Sequence, residues 1–194
     1  MSDAQKVIRY VLQASLVELF QVAFSETPQL NPCQDSSSSQ EIQIIASIGL
    51  AGSLNASLAL AVNCQTACCL VSKMLGCQIE RLNQDAIDGV AELVNILAGL
   101  AKTKFSEKSY FLTLSLPTII TGSAAVSVRQ LMKSEGVSFN VQLKEMAFDV
   151  YFFYAVEEGG KKNVSNNAAD NSASTSSQKA AETLKNLLFG QGSI

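Results

Sequence analysis

The chain has 194 residues with 14 basic and 17 acidic side chains, a net charge of -3, and 47% hydrophobic content, enough to bury a core of its own. That balance gives no basic footprint for nucleic acid and no polybasic stretch for a membrane surface. Histidine is absent, which removes the usual general base, the Ser-His-Asp and Cys-His nucleophile systems, and the commonest transition-metal ligand. Chemistry here falls to carboxylates, amides, hydroxyls or thiols.

Residues 4–24 repeat apolar side chains at Val7, Ile8, Val11, Leu12, Leu16, Leu19, Phe20 and Ala23, close to a 3.6 period, so they are predicted to form an amphipathic helix. Pro28, Pro32 and the serine run at 36–39 predict a loop. Two alternating segments, Ile42 to Ile48 and Leu54 to Val62, flank Ala51-Gly52-Ser53 and read as a hairpin. A helix over 65–75 with Gly76 as its stop follows, then a third over about 85–104, where Asp85 suits a helix N-terminus.

Residues 110–121 are rich in β-formers around Pro117, and Val137-Phe139-Val141-Leu143 and Phe148-Val150-Phe152-Tyr154 alternate strictly, so each is predicted to be a strand. The expected fold is α+β: an antiparallel sheet with a pair of long helices packed on one face, in the order α-β-β-α-α-β-β-β. The expected domain covers 1–156. Residues 157–178, rich in Gly, Asn, Ser and Ala without apolar periodicity, read as a flexible linker. Ala181, Leu184, Leu187 and Leu188 then give 179–194 the spacing of a short amphipathic helix, which is marginal in water unless it docks on something.

The five cysteines, Cys33, Cys64, Cys68, Cys69 and Cys77, are odd in number and grouped in apolar surroundings, which fits reduced thiols rather than a disulfide framework. With no signal-peptide plan at the N-terminus, and with the apolar stretch 44–62 broken by Gly49, Gly52, Ser53, Asn55 and Ser57, a cytoplasmic chain without a membrane span is expected. Cys64 and Cys68 stand i, i+4, but zinc wants four ligands and no histidine is on hand, so no metal site is expected.

The third helix holds the distinctive pattern. At 100° per residue, Val90, Val94, Leu97 and Ala101 form one stripe toward the core, while Asp88, Glu92, Asn95 and Gly99 form a second on the opposite side. A polar outward face is ordinary for such a helix. Asn95, however, is a poor helix former placed where it neither caps nor packs, and Gly99 costs about 1 kcal/mol relative to Ala while clearing bulk for a partner's approach.

Asp88-Gly-Val-Ala-Glu92-Leu-Val-Asn95-Ile-Leu-Ala-Gly99 resembles the D-x-x-x-E-x-x-N helix of the CheC/CheX/FliY phosphatases, and the Asn-x-x-x-Gly extension is like CheX in particular. The N-terminal helix, the glycine-bearing hairpin 48–52, the helix ending Met74-Leu75-Gly76 and the strand Leu114-Ser115-Leu116-Pro117 agree with that family's order of elements. Only one such motif is present. The resemblance implies hydrolysis of the aspartyl phosphate on a CheY-like response-regulator receiver domain, in chemotaxis or another two-component pathway. It implies that Asn95 orients the attacking water and Glu92 pairs with a receiver lysine, with Asp88 and Gly99 as partner contacts. It further implies no cofactor in this chain, Mg2+ in the receiver, and a homodimer. The alternative is a non-catalytic adaptor that binds a receiver or flagellar-switch partner with the same fold.

Overall fold

The computed structural model describes residues 3–33, 44–122 and 135–155. Helix α1 (Asp3–Phe24) is followed by strands β1 (Gln29–Pro32), β2 (Ile44–Gly52) and β3 (Ala56–Val62), helices α2 (Cys64–Leu75) and α3 (Gln84–Glu107), then β4 (Leu112–Leu114), β5 (Thr118–Thr121), β6 (Glu135–Leu143) and β7 (Met146–Tyr154). The strands form one sheet in the order β1-β6-β7-β3-β2-β4, with β5 also on β2, and every pairing is antiparallel. This is the expected α+β architecture. The proposed linker and terminal helix over 157–194, and the start of the first strand at Ile42, lie outside the described residues.

Period-two alternation decides the two faces of the sheet. Ile44, Ala46 and Ile48 of β2, Leu58, Leu60 and Val62 of β3, Phe139 and Val141 of β6, and Val150 and Phe152 of β7 share one core with the buried sides of all three helices. The intervening residues Ile45, Ala59, Ala61, Tyr151 and Phe153 make a smaller cluster on the other face. There Asp149 accepts hydrogen bonds from Asn140 Nδ2 (2.8 Å) and Tyr151 Oη (3.2 Å). Burial, helped by the neighbouring Asp149 charge, pushes the Tyr151 hydroxyl pKa up, since both disfavour the phenolate.

Helix ends carry their own chemistry. Asn63 caps α2 by accepting from the Thr66 amide at 2.7 Å, and Gly76 ends it in the left-handed region at φ 66°, the conformation that glycine adopts without a Cβ penalty. Asn83 caps α3 by accepting from the Ala86 amide at 2.9 Å. By length and composition α1 could cross a membrane; in the fold Ile8, Val11, Leu12, Leu16, Leu19 and Phe20 pack its apolar side into the core. Its far end is tied by Glu26, whose carboxylate meets Lys144 at 2.8 Å and Lys73 of α2 at 3.1 Å. Those cations hold the Glu26 carboxyl below its usual range, Lys144 first.

Two elements differ from expectation. The expected loop around Pro32 contains β1, which pairs with β6 at the edge of the sheet; an edge strand needs hydrogen bonds on one side only and so tolerates proline. The single strand expected over 110–121 is two short strands, because Pro117 cannot donate to the ladder. Between them Ser115 replaces regular pairing: its amide donates to Gly49 O and its Oγ accepts from the Gly49 amide, both at 2.9 Å.

Gly52 sits at φ 141°, and a Cβ there would lie 2.3 Å from the Phe111 carbonyl oxygen. Gly52→Ala combines a glycine-only backbone with a clash against main chain, so a loss of about 2–3 kcal/mol is expected. A fall in the urea midpoint without a change in slope checks it.

Candidate functional site

The sheet sets the rotation of α3. Val90, Leu93, Val94, Leu97, Ala98, Ala101 and Phe105 are fully buried against it, and helical geometry then turns the opposite side to solvent. Asp88 and Asn95 are exposed, while Glu92 and Gly99 are half-buried. All four therefore share one outward rail, as the spacing predicts. Asp88 accepts from Gln84 Nε2 at 2.8 Å, a contact along the helix surface. Among the described residues neither Glu92 nor Asn95 makes a side-chain hydrogen bond or ion pair, which leaves the carboxylate oxygens and both ends of the amide open to a partner.

Gly99 is bare in the sense expected: a Cβ there meets nothing within 4 Å. Its carbonyl still accepts from Thr103 Oγ1 at 3.2 Å, so the helix continues through it. A second glycine on α3 was not singled out by sequence. At Gly89 a Cβ would stand 2.4 Å from Val71 Cγ1, so the missing side chain is what lets α2 close onto α3 three residues before Glu92. A glycine inside a helical run signals some such packing reason, yet the sequence does not say which neighbour it admits. The Asn83 cap was readable in principle, as an Asn directly before the helical pattern.

The cysteines are more varied than expected. Cys68 is buried, and Cys33 and Cys64 are intermediate, but Cys69 and Cys77 are exposed. Cys64, Cys68 and Cys69 line a cleft of about 520 Å³ between α2 and residues 79–82. Burial, and then the nearby Cys64, push the Cys68 thiol up, which makes it a poor nucleophile. Among the described residues no three Cys, Asp or Glu side chains converge to hold a metal ion.

Solved structures similar to this one include chemotaxis proteins. CheX from Vibrio vulnificus is similar at 17% identity with a TM-score of 0.66, covering 76% of this chain and 98% of that one. CheX from Desulfovibrio desulfuricans is 22% identical with a TM-score of 0.62, covering 76% and 98%. The CheX-CheY-BeF3-Mg2+ complex from Borrelia burgdorferi matches at 18% identity and a TM-score of 0.58, covering 79% and 99%. These likenesses establish the fold. The family model for the chemotaxis phosphatase CheX matches residues 44–142, a little over half of the chain and all of α3, and the chain belongs to that family. Comparison with curated protein sequences gives no match.

The two glycines of α3 should respond in opposite directions. Gly89→Ala forces a methyl into Val71, and overpacking of about 1–3 kcal/mol outweighs the helix-propensity gain, so the melting temperature falls. Gly99→Ala meets open space and gains about 1 kcal/mol of stability. Thermal unfolding of both variants checks the pair.

Proposed function

We propose that this protein hydrolyses the aspartyl phosphate of a CheY-like response-regulator receiver domain, with the α3 rail entering the receiver's active site. The observation that carries the reading is the pairing of Glu92 and Asn95 on one outward helix face, unengaged by neighbours, in a chain of the CheX family.

Phosphoryl transfer to water asks little covalent work of the protein, so positioning and charge placement set the rate. Asn95 suits the first task. Its carbonyl oxygen accepts from the attacking water while its NH2 donates to a phosphoryl oxygen, holding the water in line. Glu92, one turn earlier, takes a lysine of the receiver as a charge-assisted hydrogen bond and thereby fixes the docking angle. Asp88 and Gly99 extend the contact at either end of the rail. The receiver brings the phosphorylated aspartate and Mg2+, and this chain brings no cofactor. The Borrelia complex, in which CheX is found with CheY, BeF3 and Mg2+, supports such a division of labour. A chain without histidine can work this way because the acid-base and metal chemistry lie with its partner.

A homodimer is part of the same proposal. Phe111 (67% exposed), Leu116 (86%) and Ile120 (50%) are spaced from the start of β4 to β5, along the sheet edge formed on β2. Large apolar side chains exposed along a sheet edge mark a contact surface, and a second copy is its proposed occupant.

Receiver dephosphorylation, followed over time, tests the chemistry. Asn95→Ala should lower kcat at least a hundredfold with the receiver still bound, whereas Glu92→Ala should chiefly raise KM. If hydrolysis is equally slow with wild type, with Asn95→Ala and with no protein added, the phosphatase reading fails and a receiver-binding adaptor remains. For the dimer, Leu116→Asp should move the protein from dimer to monomer in sedimentation equilibrium. A wild-type protein that is already monomeric at tens of micromolar would refute it.

A further inference from the structure

The rail is too small to hold a receiver by itself. From Asp88 to Gly99 it is about 16 Å long and roughly 10 Å wide by helix geometry, whereas a specific interface buries about 800 Å² on each partner. Any receiver seated on Asn95 must therefore cover neighbouring surface. The helices all rest on the same face of the sheet, and α1 runs beside α3. The ammonium of Lys108, the C-cap of α3, lies 5.5 Å over the Tyr10 ring, and Lys104 pairs with Glu18, so the two helices are antiparallel. At about 1.5 Å per residue, Gln21 and Val22 then stand level with about residues 96–101 of α3, at the Gly99 end of the rail.

The outer side of α1 is built differently from that of α3. Tyr10, Ala14, Val17 and Gln21 repeat at i, i+4, i+7 and i+11, the spacing of the rail itself, and with Gln13 and Glu18 they line a depression of about 500 Å³. On this strip Tyr10 is 59% exposed, and Ala14 and Val17 are partly exposed. The side of α1 that faces the core is already filled by Ile8, Leu12, Leu16 and Phe20, so this apolar strip is surplus to folding, and surplus exposed apolar surface marks an interaction site. The outward side of α2, by contrast, carries Gln65, Cys69 and Lys73. Helix α1 also lies outside the segment matched by the CheX family model.

We infer that the outer face of α1 is the second half of the receiver-docking surface, an apolar strip that supplies affinity and selects the receiver while α3 supplies the chemistry. The inference rests on the phosphatase reading for its partner. It commits to a receiver whose surface beside the phosphorylated aspartate presents apolar side chains. Ala14 at the centre of the depression admits such a side chain, and Tyr10 and Val17 flank it.

The test uses Ala14→Gln, which fills the depression with a good helix former's side chain, and Val17→Asn, which makes it polar. Hydrolysis is measured against receiver concentration, and binding is titrated separately with receiver carrying beryllofluoride and Mg2+. Each variant should raise KM and the titrated Kd about tenfold with kcat unchanged. Unchanged KM and Kd in Ala14→Gln overturn the docking role, and so does a fall in kcat at constant KM. Where Val17→Asn shifts the melting temperature, Ala14→Gln decides. If the unaltered protein binds but does not hydrolyse, the phosphatase reading fails alone, and weaker titrated binding by the variants still upholds the docking face.

Discussion

The burial of α3 on the sheet is the constraint on which the rest depends. Eight of its side chains are excluded from solvent, and full burial of a large apolar side chain stabilises by about 1.5–3 kcal/mol. Turning the helix by one residue would expose several of them together and drive Glu92 toward apolar neighbours, where an unpaired carboxylate is costly. The helix therefore has one rotational setting. Gly89 sharpens it, since only a bare backbone lets Val71 of α2 close so near. The direction in which Glu92 and Asn95 point is thus decided by the opposite side of the helix.

Much of this was legible because it is periodic. The helices follow from apolar spacing, and the outward rail follows from 100° arithmetic alone. What escaped did so for physical reasons. β1 is short, preceded by Pro28 and ending in Pro32; its existence depends on β6 offering an edge, a fact of tertiary structure. β4 and β5 read as one strand because β-formers lie on both sides of Pro117, and only the pairing with β2 shows where the ladder breaks. Cysteine is ambiguous in sequence, at home in cores and on surfaces alike, so the exposure of Cys69 and Cys77 could not be read from their neighbours. Gly89 passes unremarked in the sequence because its reason, the close approach of Val71, is a tertiary contact.

The candidate site is chemically sparse by itself. An acid and an amide on a rigid helix, with no histidine and no cluster of metal-ligating side chains among the described residues, make a poor enzyme in isolation and a good insert for someone else's active site. Building them on a helix rather than a loop matters, because the angle between two side chains one turn apart is then set by backbone hydrogen bonds along the whole element. The same economy fits α1, whose two sides serve different ends: one faces the sheet, the other solvent.

The break between β4 and β5 has a further consequence. A long uninterrupted edge strand is a template on which any stray chain can extend a sheet. Here β2 is covered by strands of three and four residues, separated by Ser115, which ties itself back to Gly49. The outer edge therefore never offers a run of free amides long enough for indiscriminate pairing. Apolar side chains more than exposed backbone are what this border presents, so a partner would have to match it in shape and sequence and could not rely on the generic stickiness of an open sheet.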